Sequence, residues 1–461
     1  MSGIQHISND DTIVALATAN GVGAIAVIRL SGKEAITICN KVFRGKDLTQ
    51  QPSHTIHFGT IRDGAIVIDE VLVSLFKAPH SYTKENVVEI SCHGSGFIVK
   101  QIIHLLIKNG ARLARAGEFT KRAFMNGKFD LAQAEAVADL IASDTASQHQ
   151  AAMNQMRGGF SNKIKVLREQ LIHFASMIEL ELDFVEEDVE FASRDDLKRL
   201  VYDLQRVIGE LVASFEVGNV IKNGIPIVIA GKPNVGKSTL LNALLNEEKA
   251  IVSDIPGTTR DFIEDEIHIE GVTFRFIDTA GIREATDTIE AIGVERTHAK
   301  MKQASLILYL FDLAAETVTG IHQDINKLEN LGIPFIKVGN KLDMAKPELM
   351  DHLKAEVNDL VLISASTHDH LEELKNRLLA AVNIEKFKTG NTVVTNIRHY
   401  QSLVNTQKAL DDVLNAIDSG MTGDLLSLDI RTALHHLGEI TGEITTDDLL
   451  GNIFSKFCIG K

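Results

Sequence analysis

The chain has 461 residues, of which 44% are hydrophobic and 24% are charged. This length favours two or three domains, and the composition is that of a folded globular protein rather than of a disordered or fibrous one. The formal net charge of −15 argues against a general nucleic-acid binder. Residues 1–126 form the only segment with a net positive charge, with 14 basic and 10 acidic side chains. If the protein acts on RNA, we expect a more basic partner to supply much of the electrostatic attraction.

The sequence also bounds the compartment in which the protein works. No stretch approaches the roughly eighteen consecutive apolar residues that span a membrane, and the opening residues have no targeting pattern. Cys39, Cys92 and Cys458 are odd in number and far apart, which argues against a disulfide framework or a zinc site. We therefore expect a cytoplasmic protein without membrane contact.

Taken in chain order, the apolar patterns change character three times. Short β-rich runs alternate with helical patterns over residues 12–128, which predicts a compact α+β domain. Apolar residues then recur at helical spacing over about 131–220. Between about 225 and 381, five apolar runs are separated by stretches of helix length, which is typical of a doubly wound sheet. Helical patterning resumes after residue 388.

The two helical stretches are either separate pieces or parts of one domain. Neither has an obvious partner for its apolar face within its own segment, so we favour one helical domain into which the α/β domain is inserted. The predicted fold is therefore a multidomain α/β chain with an N-terminal α+β domain, an all-α helical domain and an inserted doubly wound domain. The predicted segments are 1–126 (N-terminal domain), 127–220 (helical domain, first part), 221–387 (inserted domain) and 388–461 (helical domain, second part).

The segment from Gly231 to Ser238, "GKPNVGKS", lies between an apolar strand pattern and an amphipathic helix pattern. It matches the phosphate loop G-x-x-x-x-G-K-[ST] in the context that this loop requires. Its glycines let backbone N–H groups turn towards phosphates, Lys237 can reach the β and γ phosphates, and Ser238 can ligate magnesium. The sequence therefore predicts a doubly wound P-loop domain that binds a nucleoside triphosphate.

Three further motifs follow in order. "GTTRD" offers Thr259 as a second magnesium ligand, and "DTAG" ends a strand pattern with Asp278, which suits the outer shell of the metal. "NKLD", at 340–343, also follows a strand pattern. The Asp343 carboxylate can accept two N–H bonds from the edge of guanine, whereas adenine lacks the ring N–H at that place. The four motifs together predict a G domain that binds GTP.

The predicted GTP contacts share a position in one of these loops or in the "SAS" segment, which offers backbone contacts to the guanine carbonyl. They are Asn234, Val235, Gly236, Lys237, Ser238, Thr239, Ser253, Asp254, Ile255, Pro256, Gly257, Thr258, Thr259, Asp278, Thr279, Ala280, Gly281, Asn340, Lys341, Asp343, Ser364, Ala365 and Ser366.

With these motifs in place, the chain resembles the MnmE (TrmE) family of tRNA modification GTPases, within the TrmE-Era-like P-loop GTPases, over essentially its full length. The resemblance rests on "VIRLSG", on "GEFTKRAFMNGKFDLAQAEA", on the order of the four nucleotide motifs, and on the ending "FCIGK". The ending is the most specific of these marks.

The resemblance implies a homodimer whose N-terminal domain binds 5-formyl- or 5,10-methylene-tetrahydrofolate. It also implies an FAD-containing partner, MnmG, in a heterotetramer that adds an aminomethyl or carboxymethylaminomethyl group to carbon 5 of the wobble uridine of tRNA. Carried over by motif, the folate contacts are Arg29, Glu89, Lys128 and Lys461. A carboxylate such as Glu89 suits the amidine-like edge of a pterin, and cations suit its glutamate tail. Cys458 is either a thiol near this site or a small buried residue.

Hydrolysis needs a further explanation, because Ile282 directly follows "DTAG" and an alkyl chain cannot orient water. The resemblance implies that Glu290 positions the attacking water through a bridging water, and it assigns catalytic roles to Arg260 and Asp278 as well. The alternative for Glu290 is an exposed glutamate at the start of a helix.

The resemblance further implies a potassium ion that meets the charge of the transition state when two G domains come together. Its ligands would be Asn234, Ser253, Ile255 and Thr258. The alternative function for the whole chain is a signalling or ribosome-assembly GTPase with the same G domain and unrelated flanks.

Overall fold

The structure is a computed structural model, and it describes residues 11–183, 193–249, 265–277, 304–345, 350, 352–353, 356–381 and 392–460. The chain divides into two compact units. One comprises Met1–Ala142, Met153–Ile208 and Ser402–Lys461, and the other comprises Ser143–Ala152 and Gly209–Gln401. The four segment boundaries given above stay predictions.

The first unit contains a seven-stranded sheet. Its strands are β1 (Thr12–Leu16), β2 (Gly23–Ser31), β3 (Phe43–Arg44), β4 (Thr55–Asp63), β5 (Ile66–Phe76), β6 (Val87–Gly94) and β7 (Ala111–Leu113). They lie in the order β3-β4-β5-β6-β2-β1-β7, and every pair is antiparallel except β1 with β7. The mixed α and β character predicted for residues 12–128 is confirmed.

Helices α1 (Ala35–Val42) and α2 (Gly96–Lys108) pack on one face of this sheet, in a core that includes Ile28, Val73 and Ile90. Residues of the opposite face alternate with these along each strand, as the period of two requires. Several apolar side chains of that opposite face are exposed; they are Ile25, Ile56, Phe58 and Leu72.

Five helices follow: α3 (Glu118–Met125), α4 (Leu131–Ile141), α5 (Ala146–Met156), α6 (Gly159–Asp183) and α7 (Arg194–Asn223). The start of α4 is fixed by a capping box, in which the Asp130 side chain accepts a bond from Gln133 N (2.8 Å) and the Gln133 side chain accepts one from Asp130 N (3.0 Å). This box places the beginning of α4 where the apolar periodicity predicts it.

The second unit contains a six-stranded sheet with helices between its strands. In chain order these are β8 (Ile225–Ala230), α8 (Lys237–Lys249), β9 (Asp265–Ile269), β10 (Val272–Phe276), β11 (Leu306–Asp312), α9 (Val318–Glu329), β12 (Phe335–Asn340), β13 (Leu360–Leu362) and α10 (Leu371–Ala381). The strand order is β13-β12-β11-β8-β10-β9, parallel except for the hairpin of β9 and β10. The predicted doubly wound sheet is confirmed.

Helices α11 (Ile397–Asp418), α12 (Gly423–Thr441) and α13 (Asp447–Phe454) complete the chain. Ion pairs connect this region to α6: Arg431 of α12 pairs with Glu179 at 2.5 Å, and Glu443, just after α12, pairs with Arg168. Four residues of α12 recur at helical spacing and predict its apolar face; Leu426, Ile430 and Leu437 are buried, and Leu434 is half-buried. The helical stretches on both sides of the six-stranded sheet in sequence therefore pack together, which confirms a single helical assembly with an α/β insertion.

In the part of the chain that the structure describes, no helix is both long and apolar enough to cross a lipid bilayer.

Candidate functional site

The predicted phosphate loop joins β8 to α8 in the second unit. Asn234 lies in the left-handed region at φ +64° and Gly236 at φ +96°. A Cβ atom on Gly236 would lie 2.3 Å from Nδ2 of Asn340, so this position needs glycine for space as well as for conformation. Val235, between these two residues, is buried in the core of the α/β unit. The buried Val235 side chain therefore anchors the centre of the loop, and the residues on both sides of it have left-handed backbone conformations.

Lys237 occupies the start of α8. Its Nζ donates to the carbonyl of Gly231 (2.6 Å) and to that of Lys232 (3.3 Å). Burial lowers the pKa of Lys237 below its ordinary value, so an anion placed beside this ammonium would be favoured. Ser238 and Thr239 follow in the first turn, where helix N–H groups lack partners within the helix. This end of α8 is suited to a phosphate chain with its magnesium ion.

The base motif lies at the end of β12. Asn340 is buried; its Nδ2 donates to the Val235 carbonyl (2.8 Å), and its Oδ1 accepts from Ala365 N (3.0 Å). One side chain thus links the phosphate loop to the "SAS" segment. Three of the predicted motifs therefore meet at the Asn340 side chain, although the phosphate loop is more than a hundred residues away from Asn340 in the sequence.

Asp343 lies in a short 3-10 helix, Leu342–Met344, and its carboxylate is exposed. Oδ1 of Asp343 accepts a bond from Oγ of Ser364 (2.6 Å), and that hydroxyl lies 3.1 Å from Oγ of Ser366. Lys341 takes a left-handed conformation (φ +65°) and its Nζ lies 2.6 Å from Oδ2 of Asp312. The arrangement presents an oriented carboxylate that can accept N–H bonds from a base edge.

The predicted folate residues lie in the first unit. Arg29 on β2 stands opposite Glu89 on β6, and Arg29 Nε donates to Glu89 Oε1 at 2.8 Å. Both side chains are largely buried. The guanidinium lies 5.3 Å from the ring centroid of Tyr82 and 5.7 Å from that of Phe119. The pair therefore lies beside two aromatic rings, Tyr82 and Phe119, which form an aromatic corner where α3 covers the β1 end of this sheet face.

Lys128 reaches the same corner from another direction. Its Nζ donates to the carbonyl of Ser81 (3.3 Å), the residue before Tyr82. The Tyr82 hydroxyl lies 2.9 Å from Oγ1 of Thr120, and burial raises the pKa of Tyr82. Lys128 and the Arg29–Glu89 pair are thus connected through residues 81–82.

The carboxyl-terminal tail lies along this part of the first unit. Ile459 forms an antiparallel bridge with Ala116, and Gly460 lies at φ +100°, where a Cβ atom would be 2.0 Å from the Leu16 carbonyl. Leu16 ends β1, and its neighbour Ala15 stands opposite Arg29. Gly460, the last described residue, therefore lies in the same region of the sheet as the aromatic corner.

Cys458, in this tail, is exposed, whereas Cys39 and Cys92 are buried. The interpretation of Cys458 as a small buried residue is therefore wrong. Its role as a functional thiol stays a prediction.

Comparison with known proteins gives two family matches. The family described as "GTP-binding protein TrmE N-terminus" matches residues 12–128, and "MnmE helical domain" matches residues 131–458. The chain is 60% identical to the tRNA modification GTPase MnmE of Cytophaga hutchinsonii over 461 residues, which are 100% of both chains. It is 54% identical to that of Flavobacterium psychrophilum over 458 residues (98% of this chain, 99% of the other) and 52% identical to that of Bacteroides fragilis over 467 residues (98% and 100%).

The chain belongs to the MnmE family of tRNA modification GTPases. The family prediction and the multidomain fold class are thereby confirmed. Because the sequences on both sides of the G domain match this family, the alternative of a GTPase with unrelated flanks is wrong.

Several predicted residues lie outside the described part of the chain, in the segments that follow α8 and β10 in sequence and at the last position. They are Ser253, Asp254, Ile255, Pro256, Gly257, Thr258, Thr259, Arg260, Asp278, Thr279, Ala280, Gly281, Ile282, Glu290 and Lys461. Their roles stay predictions within the MnmE family assignment.

The structure also shows partners that the sequence reasoning missed. Tyr82 and Phe119 flank Arg29, and Asp312 holds Lys341. A signal existed for Asp312, since it ends the apolar run "SLILYLFD" as Asp278 ends another, and polar residues at the carboxyl ends of parallel strands commonly serve the ligand. The aromatic residues gave no comparable signal.

Proposed function

We propose that the chain is the GTP-hydrolysing component of a cytoplasmic tRNA modification complex. The complex installs an aminomethyl or carboxymethylaminomethyl group at carbon 5 of the wobble uridine, with a tetrahydrofolate one-carbon donor and the FAD-containing partner MnmG. One observation carries the proposal. The chain has a site suited to GTP, and in its first unit Gly460 of the carboxyl-terminal tail lies beside Leu16. The neighbouring Ala15 stands opposite Arg29, which pairs with Glu89.

The proposed folate residues fit the chemistry of the ligand. Glu89 offers a carboxylate that can accept N–H bonds from a pterin edge, and Arg29 orients that carboxylate through its 2.8 Å ion pair. Tyr82 provides an aromatic wall, while Lys128 and Lys461 supply cations for the glutamate tail. Bound tetrahydrofolate would supply the one-carbon unit.

The proposed nucleotide site divides its tasks between two ends. Lys237 and the first turn of α8 hold the phosphates, and Ser238 with Thr259 ligates magnesium. Asp343 reads guanine, supported by Asn340 and by Ser364 through its hydroxyl.

For hydrolysis we propose a potassium ion held by Asn234, Ser253, Ile255 and Thr258. The structure of Asn234 supports this proposal, because its backbone is left-handed and its side chain is exposed at the surface of the phosphate loop, where an ion can reach it. GTP turnover should be much faster in potassium chloride than in sodium chloride at equal ionic strength. Turnover that does not depend on the cation would remove this ion from the mechanism.

The proposed catalytic residues are Glu290, which positions water, together with Arg260 and Asp278. Because Ile282 cannot polarise water, Glu290→Ala should lose most of the turnover while it retains GTP binding, and Ile282→Ala should lose less. Unchanged turnover in Glu290→Ala would exclude its role.

The proposed homodimer uses the uncovered face of the seven-stranded sheet. Phe58 and Leu72 stand opposite each other on β4 and β5, and both are exposed together with Ile25 and Ile56. A cluster of this kind is commonly covered by another molecule. Sedimentation should give the mass of two chains for the wild type and a lower mass for Phe58→Asp, whereas Gln101→Asp, at an exposed position of α2 on the other side of the sheet, should behave as the wild type. Dimers of equal stability in both variants would place the interface elsewhere.

The function as a whole is tested by nucleoside analysis of tRNA. Cells that lack the chain should lose the 5-aminomethyl-type nucleosides at the wobble position, and expression of the wild-type chain should restore them. A nucleoside profile that is unchanged by the deletion would overturn the proposal.

A further inference from the structure

The loop between β11 and α9 belongs to none of the predicted nucleotide motifs, yet it contacts two of them. Together with the last residue of β11, this loop provides two largely buried carboxylates, Asp312 and Glu316, whose side chains are 11% and 10% exposed. Asp312 Oδ2 lies 2.6 Å from Nζ of Lys341, in the base motif. Glu316 Oε2 lies 2.5 Å from Nζ of Lys232, in the phosphate loop. One loop therefore holds a lysine from each end of the nucleotide site.

The backbone fixes both carboxylates relative to each other. Glu316 N donates to the Asp312 carbonyl (3.0 Å), and Ala314 N donates to Oδ1 of Asp312 (2.8 Å). Leu313 N donates to the carbonyl of Asn340 (3.0 Å), which ties the loop to the end of β12. Thr317 then caps α9 by accepting a bond from Gly320 N. These hydrogen bonds fix the conformation of residues 312–317 and thereby the positions of both carboxylates.

Lys232 is half-exposed, so burial does not explain its placement. A second carboxylate, Asp324, has its Oδ2 3.7 Å from the same Nζ and accepts a bond from the Tyr309 hydroxyl (3.3 Å). The hydrogen bond to Glu316 raises the pKa of Lys232. Because the Lys232 carbonyl also accepts a bond from Lys237, the position of Lys232 bears directly on the residue that faces the phosphates.

Building on the proposed GTP site, we propose that Asp312 and Glu316 are positioning residues for opposite ends of the nucleotide. Glu316 holds the phosphate loop through Lys232, and Asp312 holds the base-reading turn through Lys341. Neither carboxylate touches the nucleotide itself. The two residues therefore affect different features of nucleotide recognition.

The test compares Glu316→Gln and Asp312→Asn in the full-length chain by competition against a fluorescent GDP, with GDP, GMP and IDP as competitors. Glu316→Gln should weaken GDP about tenfold, the size expected for one charge-assisted hydrogen bond, and should lower the ratio of GDP to GMP affinity while the preference for GDP over IDP stays. Asp312→Asn should weaken GDP and GMP alike and should lower the preference for GDP over IDP, which lacks the exocyclic amino group.

Two further variants sharpen the result. Glu329→Gln changes an exposed glutamate at the end of α9 and should match the wild type. Lys232→Ala/Glu316→Gln should lose no more GDP affinity than Glu316→Gln alone, because both changes break the same contact.

The outcomes separate this inference from the proposed function. If both variants weaken GDP, GMP and IDP by one common factor with a lowered Tm, the ion pairs only stabilise the fold and the inference is overturned. If the wild type binds GDP and both variants behave as Glu329→Gln, the inference alone is overturned. A wild type that does not bind GDP would overturn the GTP site and, with it, this inference.

Discussion

The two sheets of the molecule present their polar side chains in different ways. The six-stranded sheet is mostly parallel, and all seven residues of its strand β11 are buried, so this strand has no free face for a ligand. Its candidate residues lie in loops at the carboxyl ends of the strands. The seven-stranded sheet is covered by α1 and α2 on one face, whereas on the other face Phe119 of α3 covers the β1 end and apolar side chains of β4 and β5 are exposed; Arg29 and Glu89 lie on the strands themselves. A buried sheet places its site at an edge, whereas a half-covered sheet can use its surface.

This difference predicts different sensitivities to substitution. In the nucleotide site at the carboxyl ends of the parallel strands (the edge site), backbone turns and side-chain hydrogen bonds between loops define the shape of the binding site. A single added methyl group can therefore destroy it. In the proposed folate site around Arg29 and Glu89 (the sheet-face site), the backbone is that of ordinary strands, so the loss of one side chain removes only one interaction.

The largest effect is expected for Gly236→Ala. The added Cβ would lie 2.3 Å from Nδ2 of Asn340, and φ of +96° is unfavourable for alanine, so GTP binding should fall by at least about 100-fold. Equilibrium binding of a fluorescent GTP analogue measures this. Gly332→Ala is the matched control, because Gly332 has φ +67° with open space around it. Equal GTP affinity in Gly236→Ala and the wild type would contradict the described loop.

Asp343→Asn should give the next largest effect. The amide offers a donor where guanine needs an acceptor, so the affinity for GTP should fall about 100-fold while that for xanthosine triphosphate rises. Competition between the two nucleotides tests the exchange of preference. Asp359→Asn, at an exposed aspartate paired with Arg377, should leave the preference intact. A variant Asp343→Asn that still favours GTP would show that Asp343 does not read the base.

On the sheet face, Glu89→Gln should weaken 5-formyltetrahydrofolate by about tenfold. The change removes the charge of the carboxylate that faces Arg29 but keeps its shape and one acceptor oxygen. Calorimetry on the full chain gives the affinity, with the exposed Glu70→Gln on β5 as control. If Glu89→Gln and Glu70→Gln bind equally well, the pair does not contact the ligand.

The smallest effect is expected at the carboxyl terminus. A chain that ends at Gly460 lacks Lys461, which we expect to contribute one exposed cation, so folate affinity should fall only a few-fold. The same calorimetric titration applies. Identical affinities would remove Lys461 from the proposed site.

The sequence predicts the two regions unequally, for physical reasons. Residues of the phosphate loop are contiguous, because a parallel strand and the helix that follows it meet in one short turn. Arg29 and Glu89 are 60 residues apart, and only the pairing of β2 with β6 brings them together. Without the family resemblance, neither would have been selected from its local pattern.

Some features of the α/β unit escaped prediction as well. The edge strand β9 was not singled out, although "DEIHIEGVTF" alternates around a turn as a hairpin does. Glu316 is 84 residues from Lys232, and a single glutamate in a loop gives no sign of such a partner.

The central claim is that the edge site and the sheet-face site serve one reaction. The direct test is mass-spectrometric nucleoside analysis of tRNA from cells that lack the chain and express either Gly236→Ala or Arg29→Gln/Glu89→Gln, at protein levels matched to a wild-type control. The account predicts that both variants fail to restore the modified wobble uridine that the wild type restores. Full modification with either variant would contradict it.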